Sequence, residues 1–268
     1  MPVVSRPHAT IHYEVHGDGP PLAFAHGAGG NTLVWWQQVS HFAQRYRVLT
    51  FDHRGFGRSG CEAGHEQARY FAGDLAAALD DAGIARTALV CQSMGGWTGL
   101  QLARQEPSRV AALVLSGTPA GILTPKVLDA LRTVVAAAPQ FEGTAAWNQP
   151  HPALAADIFE RDPDRGFLYA QLAALNPPGA LARLALAEVM TEPGALADWS
   201  IPTLLIGGEH DRLFAPAALE EVAAAIPGAR FVRIPRVGHS PYFEAPDAFN
   251  RAVAEFHAAH WRSTLRCG

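Results

Sequence analysis

Short uninterrupted apolar runs recur along the first half of the chain, at Leu22–Ala25, Val48–Phe51, Ala88–Cys91 and Val110–Leu115. Runs of that length suit strands of a parallel sheet covered on both faces. Ile11–Val15 instead alternates apolar and polar residues, as a half-exposed strand does, and His16–Pro21 closes it as a Gly- and Pro-rich turn. Helical spacing appears between the runs, over Gln67–Ala82 and Met94–Arg104. The alternation resumes late in the chain with Thr203–Ile206, a helix from about Pro216, Arg230–Ile234 and a last helix near Ala245–Ala259. Strand and helix in repeated alternation predict an α/β fold, a mostly parallel central sheet flanked by helices.

Residues 118–200 break this rhythm. They are rich in Ala and Leu, helical in period and interrupted by Pro and Gly, with no convincing strand. A connection of that length points to a helical insertion of the lid or binding type. The expected division is therefore a core of 1–117 and 201–268 with a helical cap over 118–200. No internal repeat interrupts it.

Composition narrows the class. With 49% hydrophobic residues in 268 and only 17% charged, the chain has enough apolar surface to offset its conformational entropy. A net charge of −4 and the lack of a Lys/Arg run argue against a nucleic-acid surface. The opening residues lack an apolar secretory core, and no apolar stretch reaches membrane-spanning length. Cys61, Cys91 and Cys267 are odd in number and scattered, as expected in a reducing, cytoplasmic setting.

Chemistry concentrates in three places. Cys91-Gln-Ser-Met-Gly-Gly96 carries an apolar run straight into a serine and then a helix. A serine in so sharp a turn is exposed at a helix N-terminus, where backbone N–H groups and the dipole favour developing negative charge. The usual signature is G-x-S-x-G, and Cys91 replaces its first glycine; on this segment alone a simple helix-capping serine competes equally. A serine also needs a base oriented by a carboxylate. Asp211 follows the Thr203–Ile206 run and His239 follows Arg230–Ile234. Ligands of parallel sheets collect at the C-terminal strand edge, so Ser93, Asp211 and His239 can meet there. Their order along the chain is that of one of the three serine-hydrolase arrangements. His26-Gly-Ala-Gly-Gly30 follows another strand, and the backbone N–H groups of Ala28 and Met94 are the expected donors to a tetrahedral oxyanion.

With these pieces the chain resembles an α/β-hydrolase-fold enzyme from end to end. The matching stretches are the His26-Gly27 loop, Phe51-Asp-His-Arg-Gly-Phe-Gly-Arg-Ser59, the Ser93 turn, the Asp211 loop and Gly238-His239. The resemblance implies a helical cap, no metal and no organic cofactor. It extends to small capped esterases, lactonases and carbon–carbon bond hydrolases. The last usually carry Asn before the serine and Trp after the histidine, where this chain has Gln92 and Ser240. Dehalogenases of the fold use an aspartate nucleophile, which Ser93 argues against.

The expectation is a serine hydrolase of a small hydrophobic or aromatic ester or lactone, with Trp35, Trp147, Phe214 and Tyr242 as candidate pocket residues and a homodimer as an allowed assembly. Carbon–carbon bond hydrolysis, a non-hydrolytic receptor and an oxidoreductase are the rival readings. Gly55–Gly60 matches G-x-G-x-x-G, but no helical pattern starts there. His12, Glu14 and His16 could share a strand face, more simply solvated than metal-binding. His257 and His260 are expected on the surface of the last helix, and Trp35 or Trp36 is as readily core as pocket. His210 and Glu209 are the weaker choices for base and acid.

Overall fold

A computed structural model describes residues 2–137, 148–177 and 186–261. Among these residues the chain forms β1 (Val3–Arg6), β2 (Ala9–His16), β3 (Pro21–Ala25), α1 (Trp36–Phe42), β4 (Arg47–Phe51), β5 (Gly60–Cys61), α2 (Phe71–Asp81), β6 (Thr87–Gln92), α3 (Gly95–Gln105) and β7 (Val110–Ser116). After β7 come α4 (Pro125–Ala137), α5 (Ile158–Arg161) and α6 (Pro163–Ala173). Then follow β8 (Thr203–Gly208), α7 (Pro216–Ala225), β9 (Arg230–Ile234), α8 (Pro241–Glu244) and α9 (Pro246–Trp261). All six apolar runs expected to build the parallel sheet do so, in the order β4-β3-β6-β7-β8-β9, and β2 joins β4 antiparallel.

Side chains alternate between two apolar layers, as a pleated strand dictates. Leu89, Cys91, Leu113, Leu115 and Leu205 face one layer with Leu75, Leu79, Leu100 and Leu219. Phe24, Val90, Val114 and Ile206 face the other, with Phe249, Val253 and Phe256 of α9. Strands β6, β7 and β8 are buried along their whole length, which explains their unbroken apolar character. The outer strand β9 carries exposed Arg230 and Arg233, which discourage further strand pairing.

Chain direction across the sheet reverses between β3 and β6: from β3 the chain steps outward to β4 and later returns to the opposite side of β3 as β6. Such a switch point opens a crevice at the C-terminal strand ends. The loop after Ala25 and the turn after Gln92 both begin there.

Three expectations are corrected. His12 is buried rather than solvated, with Nδ1 3.6 Å from an Asp52 oxygen. His257 is also buried, edge-on to Tyr46 and stacked on Trp261. Trp35 has no exposed surface and is wedged between Phe24 and Tyr242, at ring separations of 5.0 and 4.4 Å, so it belongs to the core and not to a pocket wall. Its neighbour Trp36 is half exposed. Between β7 and β8 the regular elements among the described residues are helical, joined by turns and irregular stretches, apart from one bridge, Ile122 with Thr191. Among the described residues no helix is long and apolar enough to cross a membrane.

Candidate active site

Ser93 has φ +48°, a left-handed conformation that ordinary side chains avoid. The turn is tight because it is pressed against the end of β3: a Cβ at Gly95 would stand 2.2 Å from the Ala25 carbonyl oxygen. Cys91, in place of the first glycine of the usual signature, points at α3, where Gly99 leaves room for its sulfur. Burial pushes its thiol pKa far up, so it offers no thiolate.

Asp211 and His239 come together beneath the surface. Asp211 Oδ1 accepts the backbone N–H groups of Leu213 and Phe214 at 2.8 and 2.9 Å, and Oδ2 lies 2.9 Å from His239 Nδ1. That contact gives Nδ1 the proton and leaves Nε2 as the basic nitrogen. Among the described residues Nε2 is buried and bonds to no protein group. The His239 carbonyl accepts from Gln92 Nε2 at 3.3 Å, tying the histidine loop to the residue before Ser93. Gly117, at the end of β7, adjoins both: the Ser93 N–H bonds Ser116 O at 3.0 Å, and a Cβ on Gly117 would stand 3.1 Å from His239 Nδ1. His210 and Glu209 are both exposed, whereas Asp211 and His239 are buried.

The peptides that carry the Ala28 and Met94 N–H groups are anchored through their carbonyls. His26 Nε2 accepts the His53 backbone N–H at 3.0 Å, so its proton sits on Nδ1 and is donated to the Gly27 carbonyl at 2.8 Å. Gly30 N–H adds a second bond to that oxygen at 2.9 Å. Burial holds both His26 and His53 below the usual histidine pKa, hence neutral.

Of the four candidate pocket residues, Phe214 lies beside His239, with ring centroids 6.0 Å apart. Tyr242 is buried under the site, packed on Trp35 and hydrogen-bonded to Tyr169, which also meets the Ser240 hydroxyl. Trp147 lies outside the described residues, as does Cys267.

Two groups had no recognisable signal in the sequence. His151 comes from the segment between β7 and β8; its Nδ1 accepts the Ala153 N–H at 3.1 Å, and its Nε2 lies 3.9 Å from where a Gly29 Cβ would be. Burial, with added repulsion from His239 and Arg212, lowers its pKa to about 4. Glu244 accepts the Gly238 N–H at 2.8 Å, the Ala155 N–H at 3.2 Å and Arg161 at 3.0 Å. It joins the His239 loop to the helical segment, and burial raises its pKa to about 7 against those bonds.

His8, Glu62 and His65 form the one cluster with metal-ligand spacing among the described residues. The rings of His8 and His65 stack 3.8 Å apart at 13°. A metal lies in the plane of each imidazole it binds, so a face-to-face pair does not fit one ion. The Gly55–Gly60 stretch leads into β5 rather than a helix, which removes the dinucleotide-binding reading.

A model of the alpha/beta hydrolase fold matches residues 20–246. The chain belongs to this family. The α/β-hydrolase described here is 31% identical over 266 residues to a putative carbamate hydrolase, RutD, of Variovorax paradoxus (strain S110), covering 92% of this chain and 95% of the relative. Its structure is similar to that of a thermophilic esterase from Thermogutta terrifontis, with a TM-score of 0.79, 28% identity and 94% of each chain covered. It is also similar to Est816, described as an N-acyl homoserine lactone degrading enzyme, with a TM-score of 0.77, 28% identity and 95% and 100% of the two chains covered. The chain is thus an α/β-fold hydrolase.

Proposed function

We propose that this α/β-hydrolase cleaves the acyl–oxygen bond of a small carboxylic ester or lactone through an acyl-enzyme on Ser93. The observation that carries the reading is the buried Asp211–His239 pair, whose Nε2 bonds to no group among the described residues and whose loop is tied to the strained Ser93 turn through Gln92 and packed on Gly117. His239 Nε2 accepts the Ser93 proton as Oγ attacks the carbonyl carbon, and the oxyanion is held by the Ala28 and Met94 N–H groups. The protonated imidazole gives its proton to the leaving alcohol, and Asp211 stabilises that charged form. Water then enters, His239 takes its proton, and the acid departs as Ser93 regains its hydrogen. Residues 118–200 act as the cap, contributing His151 close enough to feel the charge of His239, while Phe214 of the Asp211 loop packs beside the histidine ring.

The esterase and lactonase neighbours support this substrate class. The carbamate hydrolase relatives make carbamates a third acyl group to assay, since the same tetrahedral oxyanion forms on them. The deciding experiment compares wild type and Ser93→Ala on p-nitrophenyl esters of rising acyl length, lactones and an aryl carbamate. Turnover of the preferred class should fall roughly 10⁴-fold or more in a folded variant. Retained turnover would overturn the serine mechanism.

A further inference from the structure

The Met94 N–H shares a peptide with the Ser93 carbonyl, and in a trans peptide the two point in opposite directions. No cis peptide occurs among the described residues. Whatever fixes the Ser93 carbonyl therefore aims the Met94 N–H. Two donors do so: the Gly96 N–H at 2.9 Å and the Thr118 hydroxyl at 2.7 Å. The first is the ordinary closure of the turn. The second reaches across from the segment after β7.

The direction of the Thr118 hydroxyl is determined. Its oxygen accepts the Ala120 N–H at 2.9 Å, so its single proton goes to the Ser93 carbonyl. Thr118 is 1% exposed, and its side chain is packed against Gly96, where a Cβ would stand 2.5 Å from Oγ1 and 2.7 Å from Cγ2. The threonine fills the room that the missing Cβ of Gly96 leaves, and the N–H of Ala120, itself at φ +52°, holds its oxygen. The arrangement parallels the other arm, where His26 Nδ1 and the Gly30 N–H hold the Gly27 carbonyl behind the Ala28 N–H.

We infer that Thr118 is a positioning residue for the oxyanion site, its hydroxyl anchoring the Ser93 carbonyl so that the Met94 N–H is aimed before substrate arrives. The inference rests on the serine-hydrolase reading above. It assigns Thr118 no contact with substrate. Its effect is on alignment of a donor whose bond strengthens as charge develops on oxygen, so it falls on kcat rather than on KM.

The test uses Thr118→Val, which keeps the shape and removes the hydroxyl, and Thr118→Ser, which restores it. Deleting a whole oxyanion donor typically costs about 10²–10³ in kcat, and misaligning one should cost about 10-fold. Thr118→Val is expected to lose that factor in kcat with KM within twofold, and Thr118→Ser to recover most of it. Inhibition by a trifluoromethyl ketone, which forms a tetrahedral oxyanion on serine, should weaken in parallel with kcat. If the valine chain does not fold, Thr118→Ala is measured in its place and read the same way. A folded variant with kcat unchanged, or one losing kcat while ketone affinity holds, would overturn the inference. Failure of the hydrolase reading is separately visible as turnover by Ser93→Ala, an outcome that also withdraws the role of Thr118.

Discussion

Cys91 and Gly99 occupy one another's space: a Cβ at Gly99 would stand 2.4 Å from the Cys91 sulfur and 2.9 Å from Leu113 Cδ1. The residue that departs from the serine-turn signature is thus accommodated eight positions later, on the helix that follows. Gly99→Ala gains helix propensity but overpacks the strand–helix contact, and a loss of about 1–3 kcal/mol is expected in urea unfolding. Cys91→Gly removes the sulfur, so Cys91→Gly/Gly99→Ala should be less destabilised than the two single changes sum to. Simple additivity would show that the two positions do not share space.

The strain at Ser93 separates stability from chemistry. At φ +48° any residue with a Cβ is penalised, and glycine is not. Ser93→Ala and Ser93→Gly both lack the hydroxyl and should be equally inactive. Thermal melts should nonetheless place the glycine variant above the alanine variant, by about 0.5–1 kcal/mol after the entropy of the unfolded glycine is counted. Equal stabilities would mean that the turn relaxes once its hydroxyl is gone.

The parallel strands were legible because burial on both faces leaves continuous apolar runs, and Asp211 and His239 because each follows such a run. β1 and β5 were not, since four half-exposed residues and two residues carry no period. Long-range partners defeated the rest. Nothing around Trp35 in sequence tells of Tyr242, and nothing around His12 tells of Asp52. Thr118 and Glu244 are ordinary residues until the fold sets their oxygens against the Ser93 carbonyl and the Gly238 N–H. Cys91 was the reverse case, a visible departure whose compensation at Gly99 was hidden in helix–strand packing.

Glu244 makes stability depend on pH in an unusual direction for a carboxylate. Its pKa is raised to about 7, chiefly by burial, so the folded chain holds its proton more tightly than the unfolded chain. Stability from this group is complete below the unfolded carboxyl pKa and is lost as pH rises through 7. Glu244→Gln keeps an acceptor for the Gly238 N–H and removes the titration. The stability of the variant relative to wild type should therefore rise between pH 4.5 and 8, by at most about 3 kcal/mol. Melts in a pH series measure this, and a difference that is constant with pH would contradict it.

His257 acts with the opposite sign. Burial against Tyr46 and Trp261 holds its pKa down to about 4, although a bond with the Pro21 carbonyl pulls it upward. Between pH 6.5 and 4 the unfolded chain binds a proton here that the folded chain refuses, so stability falls as the solution is acidified through that window. His257→Phe keeps a ring in contact with Tyr46 and Trp261 and removes the proton site. Near neutrality it should cost only the bond to Pro21, about 1 kcal/mol. On acidification wild type should lose about 2–3 kcal/mol more than the variant, and the two stability curves should cross near pH 6. Curves that stay parallel from pH 7 to 4 would show that the imidazole reaches solvent and titrates alike in both states.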